Sequence, residues 1–213
     1  MELVWMHSDF ITVGLPESVL IDGKKYPINC DFRIGMQFER ILKGDGSDDA
    51  KLLKLLSMYY PKIPPNLNAA IDRMLWFYRC GEEEEKEEKP RQRYQRRTSK
   101  EPAYSFAQDA PYIYAAFKEQ YGIDLTESDM HWWKFVALFE SLSEDTKMSK
   151  IMYYRKASTS GMPKERRAFI NEMKKLYQIK ASSKKKMTLE ERNQKWREYV
   201  KARQYETNMQ TSG

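Results

Sequence analysis

The 213 residues carry 37 Lys and Arg against 31 Asp and Glu, a formal net charge of +6, in a chain long enough for one or two domains. Apolar residues make up 41% and charged residues 32%, with a mean hydropathy of −0.80. An average domain is about 45–50% apolar and about 25% charged, so part of this chain has to lie outside any core. No apolar run approaches the roughly 20 residues of a membrane helix, and Met1 to Leu20 lacks the basic and apolar regions of a secretory signal, which predicts a cytoplasmic protein without membrane association. Cys30 and Cys80 read as two reduced, buried thiols and not as a disulfide framework.

Charge is unevenly spread. Residues 1–81 and 82–101 are each balanced, residues 102–145 hold two basic against eight acidic side chains, and residues 146–213 hold eighteen against six. A basic end beside an acidic middle predicts docking of one on the other, or contact with an acidic partner. Residues 82–101 begin with Glu82, Glu83, Glu84 and Glu85 and continue through Arg91, Arg93, Arg96 and Arg97, with one Tyr and no aliphatic residue. With nothing to bury, this segment reads as a charged flexible linker. It separates an N-terminal part, 1–81, from a helical part, 102–179, which is followed by a basic helical tail, 180–213.

In chain order, Val19 and Ile21, then Asp22-Gly23-Lys24-Lys25, then Tyr26 and Ile28 predict a hairpin with a four-residue loop that sets Ile21 opposite Tyr26 and Val19 opposite Ile28. Pro27 marks an edge strand. Asp31 caps a helix with Phe32, Met36, Phe38, Ile41 and Leu42 inward, ending near Gly44 and Gly46. Asp48 or Asp49 caps a second, with Leu52, Leu55, Leu56 and Tyr59 at i, i+3, i+4 and i+7, up to Pro61. Pro64-Pro65 introduces a third, with Leu67, Ile71, Met74, Leu75 and Tyr78 on one stripe and Gly81 beyond its end; Trp76 and Phe77, off that stripe, make its last turn apolar nearly all round and therefore buried.

After the linker, Asp109 and Pro111 open a helix with Ile113, Phe117 and Tyr121 inward and Gly122 at its end. Thr126-Glu127-Ser128-Asp129 reads as a capping box before Trp132, Phe135, Val136 and Phe139. Met148, Ile151 and Met152 mark a shorter helix after Asp145. Pro163 starts another, on which Phe169, Met173, Leu176 and Tyr177 line up while Lys164, Arg167, Lys174 and Lys175 face out. Thr188-Leu189-Glu190-Glu191 caps a last helix with Trp196, Tyr199 and Val200 on its stripe. The whole predicts an all-α protein, mainly a helical bundle, with a small N-terminal β-hairpin.

Signatures of catalysis are sparse. His7 and His131 have no Cys or His within four residues, so no zinc-type ligand cluster is expected. No Gly-rich phosphate loop occurs. A Cys30 or Cys80 nucleophile with His131 as base would require the fold to unite them, and no spacing argues for it. Asp124, Glu127 and Asp129 read as carboxylates favourable at the start of the Trp132 helix, and Trp132-Trp133-Lys134-Phe135 as core packing. The expectation is therefore a non-enzyme without cofactor or metal. The basic tail, through Lys184, Lys185, Lys186, Arg192, Lys195, Arg197, Lys201 and Arg203, offers a nucleic-acid interface, although a basic amphipathic helix of this kind suits an acidic protein surface better.

Five ordered blocks carry a resemblance. Leu15-Pro16-Glu17 through Ile21-Asp22-Gly23, Tyr26-Pro27-Ile28-Asn29 and Asp31-Phe32-Arg33 is followed by Leu75-Trp76-Phe77-Tyr78. Tyr104-Ser105-Phe106 through Tyr121-Gly122-Ile123-Asp124-Leu125 comes next, then His131-Trp132-Trp133-Lys134-Phe135 and Met152-Tyr153-Tyr154-Arg155. Together they resemble the bacteriophage "gp fifteen" family over about residues 13 to 178. That family is found in tail gene clusters of temperate long-tailed phages and prophages. The resemblance implies a tail assembly factor in the cytoplasm of the bacterial host, chaperone-like toward the tape-measure protein, and supplies no catalytic residues. Contact residues are expected among the surplus aromatics Tyr112, Tyr114, Tyr153 and Tyr154, with Met148 and Met152 as adaptable surface, with the tape-measure protein or other tail proteins as partners and self-association compatible with it. A structural component retained in the virion, or a nucleic-acid-binding module, are the competing readings.

Overall fold

The computed structural model describes residues 10–82 and 102–180 together with Gln194, Trp196 and Arg197. The predicted linker from residue 83 and the capping box at Thr188 lie outside them. Among the described residues the protein is mainly α-helical with one two-stranded hairpin: α1 (Phe10–Val13), β1 (Ser18–Ile21), β2 (Lys24–Pro27), α2 (Phe32–Lys43), α3 (Asp48–Tyr59), α4 (Leu67–Tyr78), α5 (Ala110–Tyr121), α6 (Trp132–Glu140), α7 (Lys147–Lys156) and α8 (Lys164–Leu176). The chain divides into two compact units. One holds residues 10–82, 130–133 and the described residues near 196; the other holds 102–129 and 134–180, so the chain passes from one to the other within α6.

In the first unit the hairpin turns more tightly than its loop composition suggested. Ser18 pairs with Pro27, Val19 with Tyr26, Leu20 with Lys25 and Ile21 with Lys24, leaving Asp22-Gly23 as a two-residue turn. Both turn residues have positive φ, 48° and 74°, as a type I′ turn requires, and that turn matches the strand twist. The register differs from the expected one by two residues, which keeps every side chain on its face. Val19 and Ile21 are buried accordingly, and Ile28 is buried beyond the ladder.

Asp31 caps α2 by accepting the Arg33 N–H. The cap of α3 is Ser47, which accepts from Ala50, and not Asp48 or Asp49, which fall in the first turn. Leu52, Leu55, Leu56 and Tyr59 are all buried. Asn66 caps α4 and also donates to the Asp22 carboxylate, tying the hairpin turn to the helix start. The Tyr60 hydroxyl donates to the Ala70 carbonyl at 2.8 Å from a site where burial pushes its pKa up, so the phenol is a permanent donor.

The end of α4 organises this unit. Cys80 takes the left-handed position after the helix (φ 57°), and Gly81 N–H reaches back to the Trp76 carbonyl at 2.9 Å. The carbonyls of Phe77 and Tyr78 accept the indole N–H groups of Trp133 and Trp132, at 2.8 and 2.9 Å. Those tryptophans arrive because residues 130–132 pair with residues 30–32: Phe32 N–H donates to Met130 and Trp132 N–H to Cys30, around an antiparallel bridge between Asp31 and His131. Trp132 stacks on Tyr78, which stacks on Phe38. Trp132 also lies against Gly35, where an added Cβ would collide with the indole ring. Trp196 is buried here too, and Arg197 pairs with Asp72 on α4 at 3.0 Å, so part of the basic tail belongs to this unit.

In the second unit Phe117 of α5 stacks on Phe135 of α6 at 5.1 Å, with Phe106 and Phe139 beside Phe135. The Tyr121 hydroxyl donates to the Leu138 carbonyl, and Gln120 bonds both Ser141 and Ser143. Thr146 caps α7, which buries Met148 and Ile151. On α8 the buried residue is Ile170; Phe169 and Leu176, expected on the inward stripe, are 48% and 65% exposed. The helix is therefore rotated relative to its apolar stripe.

Two outcomes test the first unit. Gly35→Ala must displace the Trp132 ring, and overpacking of this kind costs about 1–3 kcal/mol; urea unfolding followed by tryptophan fluorescence reads it. The His131 Nδ1 accepts the Trp133 N–H while Nε2 bonds the Pro16 carbonyl, and burial lowers the imidazole pKa below its ordinary 6.5. The unfolded chain then binds a proton that the folded one resists. Stability from this site is complete above about pH 6.5 and falls as the pH drops through that value toward the lowered folded pKa. The urea midpoint should follow that slope, and His131→Gln should flatten it.

Candidate functional site

The second unit presents an aromatic face built by α5, α7 and α8. Its support is buried. Arg155, on α7, is 6% exposed, and its guanidinium makes two bonds to Asp109, at 2.6 and 2.8 Å, one to the Ala103 carbonyl at 3.0 Å and one to the Tyr177 carbonyl at 2.7 Å. Asp109 precedes α5 as expected, but its side chain does not cap the helix. One carboxylate oxygen also accepts the Ser105 N–H. A planar guanidinium suits this bidentate geometry. One side chain thus joins the entry to α5, the inner side of α7 and the exit of α8. An amide pair between Gln108 and the Lys180 backbone, 3.1 Å in each direction, reinforces the α8 exit.

On this support the rings gather. Tyr177 lies edge-on to Tyr112 and parallel to Tyr154, both at 6.3 Å. Tyr154 meets Phe169 at 5.9 Å and Tyr153 at 5.8 Å. Lys147 places its ammonium 5.2 Å from the Tyr177 ring centre, and its interaction with the Tyr177 hydroxyl raises its pKa, so it stays charged. Tyr153 and Phe169 are each 48% exposed and Leu176 65%, making an exposed apolar edge beside the ring cluster.

Of the six contact residues expected from the sequence, Tyr112, Tyr153 and Tyr154 meet in this cluster. Met152 is half-buried. Met148 is wholly buried and is corrected from surface to core: it lies on the inner side of α7 with Ile151 and Arg155. Tyr114 stands apart, its hydroxyl donating to Asp124. Phe169 and Tyr177 join the cluster although the sequence had placed them, with the exposed Leu176, on the helix's packing stripe. Of the basic-tail residues, Arg197 pairs with Asp72; Lys184, Lys185, Lys186, Arg192, Lys195, Lys201 and Arg203 lie outside the described residues.

The acidic group at Asp124 is a turn and not the first turn of α6. The Asp124 carboxylate accepts from the Thr126 hydroxyl and N–H, then from Tyr114 and Lys118, which together hold its pKa far below the usual carboxylate range. The expected capping box is therefore absent, and His131 occupies the start of α6 instead. Among the described residues no cluster of three His, Cys, Asp or Glu could hold a metal ion. No helix among them is long and apolar enough to cross a membrane. A cavity of about 20 Å³ beside Gly35, Tyr59 and Trp132 in the first unit has room for about one water. Cys80 is buried and Cys30 half-buried, its pKa raised first by that burial.

These features define a mainly α-helical protein with an exposed aromatic face on its second unit. The family model of the Bacteriophage Gp15 protein matches residues 11–179, and the chain belongs to that family. It is a phage-associated protein. Searches of curated proteins and of solved structures find no match.

Removing the support has a predictable cost. Arg155→Met leaves the Asp109 carboxylate buried without its cation, and breaking a buried pair in this way costs about 3–5 kcal/mol. Thermal unfolding should show it, and adding Asp109→Leu to the same chain should recover part of the loss.

Proposed function

We propose that this chain is a non-enzymatic tail assembly factor, a chaperone for the tape-measure protein, acting in the cytoplasm of the bacterial host. What carries the reading is the exposed apolar edge of Tyr153, Phe169 and Leu176, in a member of a phage protein family. A long client with unburied apolar helical stripes aggregates unless they are covered while tube subunits assemble around it. A helical partner covers such a stripe by laying its own apolar side chains along it. The half-buried rings of Tyr112, Tyr154 and Tyr177 give the edge a firm backing. Aromatic side chains of this kind supply contact area at little cost in rotamer freedom.

Co-expression with the tape-measure protein tests the reading. The chain should raise the soluble fraction of the client and co-purify with it. Phe169→Ser with Leu176→Ser, both at exposed positions, should lower the recovered complex about tenfold, as expected where apolar anchors dominate binding. Purified virions should be depleted of the protein; stoichiometric retention would instead favour a structural tail component. No complex and no gain in solubility would end the chaperone reading.

A further inference from the structure

The aromatic face ends on a cation. Lys147 holds its ammonium 5.2 Å from the centre of the Tyr177 ring, and Tyr177 lies edge-on to Tyr112 and parallel to Tyr154, which in turn meets Phe169. The rings thus run from the exposed Phe169 through the half-buried Tyr154 and Tyr177 to the ammonium. Lys147 is exposed and pairs with no carboxylate among the described residues. The nearest acid in sequence, Asp145, contacts Lys150 instead, and Asp109 is taken by Arg155. Phenols surround the ammonium without neutralising it; the Tyr177 hydroxyl, with Tyr112 and Tyr154 near, raises its pKa. Lys147 also stands in the first turn of α7, where the helix dipole favours negative charge and the chain supplies no acid of its own.

We propose that this face selects client segments in which one carboxylate accompanies the apolar stripe, the Asp or Glu of the segment lying on Lys147 while its apolar side chains cover the Phe169 end of the ring run. The inference rests on the tape-measure reading and adds to it the chemistry by which a segment is chosen. The ammonium supplies the charge, and the phenols beside it can donate to the same carboxylate. A cation already seated on a ring also has less freedom to lose on binding than one extended into water. Selection has a repulsive side as well. Glu165 and Glu172 share the exposed stripe of α8 with Phe169 and Leu176, so a run of acids or a phosphate backbone laid along that helix meets like charge. One acid, placed at the ammonium, gains the pairing without spreading negative charge over α8.

Overlapping peptides spanning the tape-measure protein, probed with the full chain, test it. The peptides retained are expected to combine apolar residues at helical spacing with an Asp or Glu. Replacing that acid by Lys should lower the affinity of a retained peptide about tenfold, the scale of one lost interfacial charge pair, and Lys147→Glu should do the same to the original peptide. The two changes together should recover binding. Added salt should weaken the wild type more than Lys147→Gln, because the pair is screened. Thermal unfolding should be unchanged in both variants, as Lys147 is exposed. Retained peptides without an acid, single changes that leave affinity as it was, or a combination without recovery would each overturn the inference and leave the chaperone reading standing. So would single-stranded DNA or RNA binding that Lys147→Gln abolishes. A wild type that retains no peptide would overturn it too, and recovery of the client on co-expression then decides the chaperone reading separately.

Discussion

A helix ends with carbonyls that no residue of the same helix can satisfy. In α4 the carbonyls of Phe77 and Tyr78 are taken by the indole N–H groups of Trp133 and Trp132, two consecutive residues more than fifty positions later. Much of the first unit follows from that pair of bonds. The indoles can reach only if residues 130–132 lie along residues 30–32, and Trp132 can lie flat only if residue 35 has no side chain. The stack of Phe38, Tyr78 and Trp132 then unites α2, α4 and the start of α6. A buried indole N–H needs an acceptor, and each indole finds one at this helix end, where the Phe77 carbonyl also takes the Cys80 N–H.

The second unit solves the same problem with charge. Arg155 gives its donors to a carboxylate and two backbone carbonyls, leaving Asp109 compensated although it is 2% exposed. A buried pair of this kind is weak evidence for stability, because desolvation opposes the attraction. Its contribution is geometric. The guanidinium plane sets where the α8 exit lies relative to α7, and therefore where Tyr177 meets Tyr112 and Tyr154.

Helix positions were legible in the sequence because apolar spacing and terminal signals agreed, as at Asp31, Gly122 and the stripe of Leu52, Leu55, Leu56 and Tyr59. Local chemistry misled where a side chain had a better partner elsewhere. Asp109 precedes a helix yet binds Arg155, and Thr126 precedes acidic residues yet closes a turn on Asp124. The hairpin register depended on whether Asp22-Gly23 would accept two positive φ values, which composition favours but does not compel. The aromatic face was half legible. Tyr153 and Tyr154 stood out as surplus rings, whereas Met148 differs from Met152 only by its place on α7. The Arg155 role had no local signal, since its partners lie twenty or more residues away in sequence.

α8 presents the sharper problem. Its apolar stripe contains enough residues to bury, yet the side it turns inward carries Ile170 while Phe169 and Leu176 remain outside. Rotating the helix to bury both would swing Glu165 and Glu172 inward with them, since the four share one stripe, and a carboxylate buried without a cation costs more than an exposed Leu or Phe. The orientation is thus dictated by the acids as much as by the apolar residues. The consequence is a row in which Phe169 and Leu176 lie exposed, alternating with two carboxylates, among the described residues.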